Sequence, residues 1–260
     1  MRGKVSIIFG VGIVVVLLLF SNFVQAEEQK PQLFFVEEVV CAPSMAAEYE
    51  AYVKNVLKLL DTHSFPYPWT AFSTDDFHYF FVWQIDNFAT LDTFFKALKE
   101  WEGKIGKESA QAIQETVVGT YKHVRYSCYL HVPDMSYYPE SPKLKPGEAK
   151  FVYMGYCHVL GGKEEEVAKY FKKIGELCKE KNYGGGWDTY AGVFGADMPL
   201  YVYLEFGKSA GDFWTEADEF NEAHGKDMME IWSKCLDLFR KYEFKTGMVR
   251  PDLSYMPQEK

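Results

Sequence analysis

The sequence predicts an α+β fold made of two tandem repeats, each with the element order β-α-β-β-α-β. A segment of the form Pro-Asp-x-Ser-Tyr-x-Pro occurs at 133–139 and again at 251–257, an offset of 118 residues. The same offset aligns Trp69 with Trp187. One offset that fits both ends of a unit indicates a duplicated domain rather than a chance motif.

Alternating apolar residues, helical periodicity and glycine or proline breaks define the elements of each repeat. In the first repeat, 33–139, strands are predicted at 33–41, 69–74, 78–85 and 121–131, and helices at 44–62 and 89–118. In the second repeat, 151–257, strands are predicted at 151–159, 187–194, 200–206 and 241–248, and helices at 164–180 and 209–239. Gly225 is expected to break the last helix, and the proline-containing segment 140–150 is expected to be a stiff linker.

The first 26 residues have the pattern of a secretory signal peptide. Arg2 and Lys4 precede an uncharged apolar run at 5–20, and small residues precede a cut expected after Ala26. The alternative is an uncleaved membrane anchor, but this run is shorter than the roughly 20 residues that span a bilayer. The protein is therefore expected to be exported, to the periplasm or the extracellular space.

The net charge and the composition of the chain limit the classes of partner that it is expected to bind. The formal net charge is −9, and loss of the two basic residues of the signal peptide would make it more negative. Such a surface repels phosphate backbones and anionic lipid, so neither nucleic acid nor, after cleavage, a membrane is an expected partner. Aromatic residues make up 17% of the chain, which suits large aromatic cores or a cavity walled by rings.

The five cysteines show neither a disulfide framework nor metal-binding spacing. They are Cys41, Cys128, Cys157, Cys178 and Cys235. No two of them align at the repeat offset, and no Cys-x-x-Cys or His-x-x-x-His pattern occurs. Buried free thiols are the expected state, and no metal site is predicted.

Paired β-α-β-β-α-β units with a long second helix resemble the dimeric α+β barrel superfamily, which includes NIPSNAP-like proteins, EthD-like proteins and antibiotic-biosynthesis-type monooxygenases. The resemblance covers 33–139 and 151–257. It implies two ferredoxin-like repeats packed sheet against sheet as an intramolecular dimeric α+β barrel, with small ligands bound inside the barrel or between sheet and helices.

The faces of the strands predict a polar chamber between the repeats. On strand 200–206, an aliphatic face is expected to meet the helices, which turns the opposite face toward the partner sheet. The residues then expected to converge are Glu38, Gln84, Tyr156, His158, Tyr201, Tyr203 and Glu205. A buried Glu beside Tyr and His would have a raised pKa and could act as a base. Alternatively, these groups only hydrogen-bond across a structural interface.

Three further features have both a functional and a structural interpretation. His224 in the second helix has Ile105 as its first-repeat counterpart and could bind haem iron, by analogy with haem proteins of the chlorite-dismutase kind, or it is a surface histidine. Trp187 and Trp69 either pack in the core or stack on a ring-shaped ligand. The repeated Pro-Asp-x-Ser-Tyr-x-Pro segment is interpreted as a structural latch, with ligand gating as the alternative.

These observations support three hypotheses. The first is an exported protein that binds a small apolar or aromatic molecule, haem being a candidate, within the tandem barrel. The second is an oxygenase or isomerase on the same barrel, cofactor-free with His158 or Glu205 as the base or haem-dependent through His224. The third is a structural or assembly subunit. A homo-oligomer is a further expectation.

Overall fold

A computed structural model describes residues 32–257. The predicted signal peptide, 1–26, lies outside the described residues. The eight strands are β1 (Leu33–Cys41), β2 (Thr70–Thr74), β3 (His78–Ile85), β4 (Tyr121–His131), β5 (Phe151–Val159), β6 (Trp187–Phe194), β7 (Leu200–Gly207) and β8 (Phe239–Val249). The helices are α1 (Ala46–His63), α2 (Ala89–Ile105), α3 (Lys107–Val117), α4 (Glu164–Glu180) and α5 (Ala210–Leu236). No helix within 32–257 is both long and apolar enough to cross a membrane.

The strands close into one antiparallel barrel in the order β1-β3-β2-β8-β5-β7-β6-β4. Each repeat contributes four adjacent strands, and the two sheets join at two seams, β2 with β8 and β4 with β6. At the first seam Phe72 pairs with Val249, and at the second Tyr190 pairs with His131. These pairs are equivalent under the repeat offset, so the barrel has an internal pseudo-twofold relation. The predicted α+β barrel of two fused repeats is confirmed.

The helices differ between the repeats in where they break. The first repeat divides its predicted 89–118 helix into α2 and α3 at Gly106, whose φ of 82° is in the region that favours glycine. In the second repeat α5 runs unbroken over 27 residues through Gly225. The predicted break at Gly225 is therefore wrong, since an isolated glycine within a helix is tolerated at a modest cost.

The repeated Pro-Asp-x-Ser-Tyr-x-Pro segments form reciprocal latches, which we call latch 1 (133–139) and latch 2 (251–257). Trp187 Nε1 donates to the carbonyl oxygen of Met135 at 2.8 Å, and Trp69 Nε1 donates to that of Leu253 at 2.9 Å. Each latch therefore follows the last strand of its own repeat and fastens to the second strand of the other. Each latch also buries two side chains, Met135 and Tyr137 in latch 1 and Leu253 and Tyr255 in latch 2. These side chains extend the hydrophobic cores between the barrel and its helices.

All five cysteines are free and buried. The cysteine prediction is correct, because each thiol replaces a small apolar side chain in a core.

Candidate ligand cavity in the barrel

The barrel encloses a cavity of about 520 Å³. Its wall is mostly apolar or aromatic, because the inward-facing residues of every strand alternate with those that face the helices. The apolar and aromatic lining consists of Phe34, Val36, Phe72, Phe80, Val82, Tyr129, Met154, Tyr156, Tyr190, Leu200, Val202, Leu204 and Phe206. Volume and lining fall in the range of small-molecule sites in proteins.

Strand direction gathers the charged lining residues at one end of the cavity. Every neighbouring pair in the barrel is antiparallel, so β1 and β5 run the same way and their C-terminal ends meet the N-terminal ends of β3, β4, β7 and β8. We call this end of the barrel the charged mouth. Its cavity-lining ionisable residues are Glu38, His78, Arg125, His158, Asp197, Lys241, Glu243 and Lys245.

Glu38 is the centre of one half of the charged mouth. Its Oε1 lies 2.6 Å from His78 Nδ1, and its Oε2 accepts a hydrogen bond from Arg125 at 2.8 Å. Burial alone would raise the pKa of Glu38, but the hydrogen bond from His78 and the charges of Arg125, His78 and Lys245 together bring it below its usual value. Glu38 is therefore an anion that holds His78 and Arg125 in place.

His158 occupies the other half of the charged mouth. It is 6% exposed, and its Nε2 is buried without a hydrogen-bond partner among the described residues. Glu243 Oε1 lies 3.6 Å from this nitrogen. The Nδ1 atom lies 3.4 Å from the carbonyl oxygen of Asp197, in the β6–β7 turn that Arg240 also binds. A buried imidazole nitrogen without a hydrogen-bond partner is unusual and marks His158 as a candidate functional residue.

A second polar cluster lies away from the charged mouth, where β6 begins. Asp188 lines the cavity, and its Oδ1 accepts a hydrogen bond from Tyr138 of latch 1 at 2.5 Å. His131 Nε2 lies 3.0 Å from the same tyrosine oxygen and 3.2 Å from Asp188 Oδ1. His131 is 3% exposed, so the cluster is a buried network behind one acidic lining residue. We call it the Asp188 cluster.

Comparison with solved structures finds the same fold in proteins of very different sequence. A monooxygenase-like protein from Lactobacillus acidophilus has a TM-score of 0.51 at 12% identity, over 89% of this chain and 100% of its own. An anthrone oxidase-like protein has a TM-score of 0.56 at 10% identity, over 85% and 92%. Chlorite dismutase from Candidatus Nitrospira defluvii, in complex with imidazole, has a TM-score of 0.50 at 10% identity, over 87% and 93%.

This chain is an α+β barrel protein. These three structural neighbours belong to the dimeric α+β barrel superfamily, and identities this low show the fold alone. No protein-family model and no curated protein matches the sequence.

The α+β barrel reverses the faces predicted for β7. Leu200, Val202 and Leu204 line the cavity, whereas Tyr201, Tyr203 and Glu205 face the helices. The cause is the length of the β6–β7 turn. Matching the polar residues Gln84 and Glu205 in the sequence makes this turn three residues longer than the β2–β3 turn. In the structure it is four residues longer, because Phe72 and His78 are six positions apart whereas their equivalents Tyr190 and Leu200 are ten positions apart. Because side chains alternate along a strand, this slip of one residue exchanges the two faces.

The residues on the helix side of β7 have structural partners there. The hydroxyls of Tyr203 and Tyr153 each lie within 2.8 Å of that of Tyr242, at 2.7 and 2.8 Å. Burial and, to a smaller extent, the nearby carboxyl of Glu216 on α5 raise the pKa of Glu205 to about 7. The predicted raised pKa is therefore present, but Glu205 lies outside the barrel cavity and is no base for a ligand bound there.

Three other predicted site residues also lie outside the cavity. Gln84 continues the inward-facing row of β3 but is exposed at the end of the strand. Trp187 is 6% exposed and packs against Tyr137 of latch 1, so its packing interpretation holds. His224 is half-buried on α5 against the ring of Phe220. A haem held by His224 would thus lie away from the barrel cavity, so these residues do not fit a haem in this cavity.

Of the predicted site residues, the structure brings three to the cavity: Glu38, Tyr156 and His158. Sequence reasoning missed His78, Arg125 and Asp188. Alternation along 121–131 places Arg125, Ser127 and Tyr129 on one face, so a charged residue inside a strand was the available signal for Arg125. Among residues 32–257, no group of three His, Cys, Asp or Glu side chains is placed to hold a metal ion.

Proposed function

We propose that the protein is an exported α+β barrel protein that binds a small, mainly apolar or aromatic molecule inside its barrel. The observation that carries the proposal is the cavity of about 520 Å³, which has an apolar wall and a cluster of ionisable groups at one mouth. A filled structural core would bring the two inner faces into contact, since protein interiors are close-packed. Export rests on the signal-peptide pattern alone.

Pocket chemistry favours a molecule with an apolar body and at least one polar group. The wall supplies rings and aliphatic side chains for the body of the ligand. Glu38, His78 and Arg125 supply oriented polar atoms at the charged mouth. A few convergent polar groups in an apolar pocket fix the orientation of a bound molecule.

Native mass spectrometry of the exported protein tests the proposal. We expect the purified chain to carry a small molecule at one per chain, which is lost on denaturation. Leu204→Trp, which places a large ring in the cavity, should abolish this extra mass. Leu160→Trp is the control, because Leu160 is 41% exposed in a turn after β5. Equal occupancy in both variants would refute a site inside the barrel.

A second candidate function, catalysis on the same ligand, is favoured by His158. Its Nε2 is buried and lacks a hydrogen-bond partner within residues 32–257, so a rotation of the imidazole toward the cavity would let it accept a proton from an acidic O–H or C–H group of a bound molecule, with Glu243 at 3.6 Å to stabilise the imidazolium that forms. An oxygenase or isomerase reaction that begins by proton abstraction fits this arrangement.

His158→Gln separates the two functions. If the barrel is an enzyme, this variant should bind the molecule identified by mass spectrometry but convert it at least about 100-fold more slowly. If wild type and variant both return the molecule unchanged, the protein is a binding protein. A narrower kinship with NIPSNAP-like or EthD-like proteins and a homo-oligomeric state remain predictions.

A further inference from the structure

The Asp188 cluster has one carboxylate oxygen in use and one open to the cavity. Asp188 Oδ1 receives both described contacts, from Tyr138 at 2.5 Å and from His131 at 3.2 Å. Within residues 32–257, Oδ2 accepts no hydrogen bond, although the residue lines the cavity. A carboxylate oxygen on an apolar wall needs a donor, because an unsatisfied polar group away from water is costly.

The hydrogen-bond directions make Asp188 Oδ1 an acceptor. Tyr138 has a single hydroxyl hydrogen, which it donates to Asp188 Oδ1. The 3.0 Å contact between His131 Nε2 and the Tyr138 oxygen then requires His131 to donate from Nε2. The chain of donors therefore runs from His131 to Tyr138 to Asp188. It ends on Asp188 Oδ1, which accepts.

Ser136 lies beside this network but is not a nucleophile. Its Oγ is 3.4 Å from His131 Nε2, which already carries a hydrogen. Ser136 donates to the carbonyl oxygen of Val132 at 3.0 Å and accepts from the amide of Thr189 at 2.9 Å. A serine that is activated for attack needs an unprotonated base nitrogen, so Ser136 belongs to latch 1 and Asp188 is the group that faces the cavity.

The other repeat has no such cluster. Under the repeat offset, Val249, Met256 and Thr70 occupy the positions of His131, Tyr138 and Asp188. Thr70 also lines the cavity. The cavity therefore has one carboxyl group in this position, on one side of the pseudo-twofold axis, which suits recognition of one donor group rather than maintenance of the barrel.

Arg125 supplies the complementary feature at the charged mouth. It uses one guanidinium nitrogen to bind Glu38, and within residues 32–257 its Nε and second terminal nitrogen have no acceptor. Its side chain is 54% exposed and lines the cavity. Arg125 and His131 lie on β4, six residues apart, which corresponds to roughly 20 Å along a strand. Asp188 lies beside His131, so the free nitrogens of Arg125 and Asp188 Oδ2 are far apart along the barrel.

We propose that the cavity recognises an elongated apolar acid with a hydroxyl or amino group at its far end. The carboxylate binds the free donors of Arg125, the apolar body lies along the ring-lined wall, and the distal group donates to Asp188 Oδ2. This inference rests on the proposed binding function and specifies its ligand class.

Calorimetric titration of ligand-free protein with three matched probes tests the inference. The probes are 12-hydroxydodecanoic acid, dodecanoic acid and 1-dodecanol. We expect the hydroxy acid to bind at least tenfold more tightly than dodecanoic acid, and the alcohol more weakly than either acid. Asp188→Thr, which installs the residue of the other repeat, should reduce the preference for the hydroxy acid over dodecanoic acid to less than twofold.

Two further variants serve as controls. Arg125→Gln should weaken both acids about equally and remove their advantage over 1-dodecanol, whereas Thr70→Val should retain the at least tenfold preference for the hydroxy acid over dodecanoic acid. If wild type binds all probes with equal affinity, two-ended recognition is wrong although the barrel still binds apolar molecules. If no probe binds, the proposed ligand class is wrong, and the occupancy seen by native mass spectrometry decides the binding function separately.

Discussion

The two repeats share a backbone and differ inside the barrel. Glu38, Arg125 and His78 in the first repeat correspond to Tyr156, Glu243 and Leu200 in the second. The first repeat therefore contributes a Glu-centred ion-pair group, whereas the second contributes His158, whose Nε2 has no hydrogen-bond partner among the described residues; both repeats contribute aromatic rings to the wall. Fusion of two repeats into one chain permits this asymmetry, because a symmetric dimer must present the same side chains twice.

Outside the barrel the repeats diverge less. Both latches keep the tryptophan-to-carbonyl hydrogen bond, and both keep a serine Oγ that accepts a backbone amide of the opposite repeat, Ser136 from Thr189 and Ser254 from Ala71. The comparison therefore separates positions that hold the barrel closed, which the duplication preserved, from cavity positions, which diverged. Four predictions test this separation.

The latch tryptophans should have the largest effect on stability. Trp69→Ala and Trp187→Ala each remove a buried ring and its hydrogen bond, and we expect each to lower the free energy of unfolding by about 3–5 kcal/mol. Chemical denaturation measures both. Trp214→Ala, whose side chain is 43% exposed, is the control and should cost far less. A large loss for only one latch tryptophan would contradict equivalent latches.

The carboxyl groups that face the helices should have the next largest effect on stability, and this effect should depend on pH. Burial raises the pKa of Glu37 and of Glu205 to about 7, from an unfolded value of 4.5. The folded state therefore binds more protons between these values, so both groups lower stability as pH rises from 4.5 to 7. Glu37→Gln and Glu205→Gln should each gain stability relative to wild type between pH 5 and pH 8, by up to about 3 kcal/mol. A pH-independent difference would contradict this account.

Glu38, on the cavity side, should show the opposite pH dependence. Because its folded pKa is lowered, its stabilising contribution is present above the unfolded pKa and is lost as pH falls through the folded one. At pH 7, Glu38→Gln should cost about 2 kcal/mol, and the cost should shrink in acid. The matched change in the other repeat, Tyr156→Phe, should cost under about 1 kcal/mol, since within residues 32–257 the only hydrogen bond of that hydroxyl is to Met154 Sδ at 3.7 Å. Equal costs would remove the proposed asymmetry.

The smallest expected effect on stability comes from an ion pair that latch 2 has and latch 1 lacks. Arg250, just before latch 2, binds Glu50 through two hydrogen bonds of 2.6 and 2.7 Å, whereas latch 1 has Val132 in its place. Arg250→Val should therefore cost about 1–2 kcal/mol, less at high salt. Lys54→Ala is the control, because its side chain is 45% exposed. An unchanged midpoint of denaturation for Arg250→Val would show that latch 2 does not depend on this pair.

Element order, the duplication and most strand limits could be predicted from sequence, because hydrophobic periodicity and turn residues are local signals. The faces of β7 could not, since they depend on one residue in the length of the β6–β7 turn. Alternation did place Tyr156 and His158 together with Glu38. The Asp188 cluster escaped prediction because His131, Tyr138 and Asp188 belong to three segments that only barrel closure brings together.

A fluorescence titration with 1-aminoanthracene, an apolar aromatic probe, tests most directly whether the barrel interior is a binding cavity. We expect saturation at one probe per chain in wild type and in Leu160→Trp, and no saturable binding in Leu204→Trp or Val202→Trp that retain wild-type circular dichroism. Unchanged saturable binding in the two cavity-filling variants would contradict a ligand site inside the barrel.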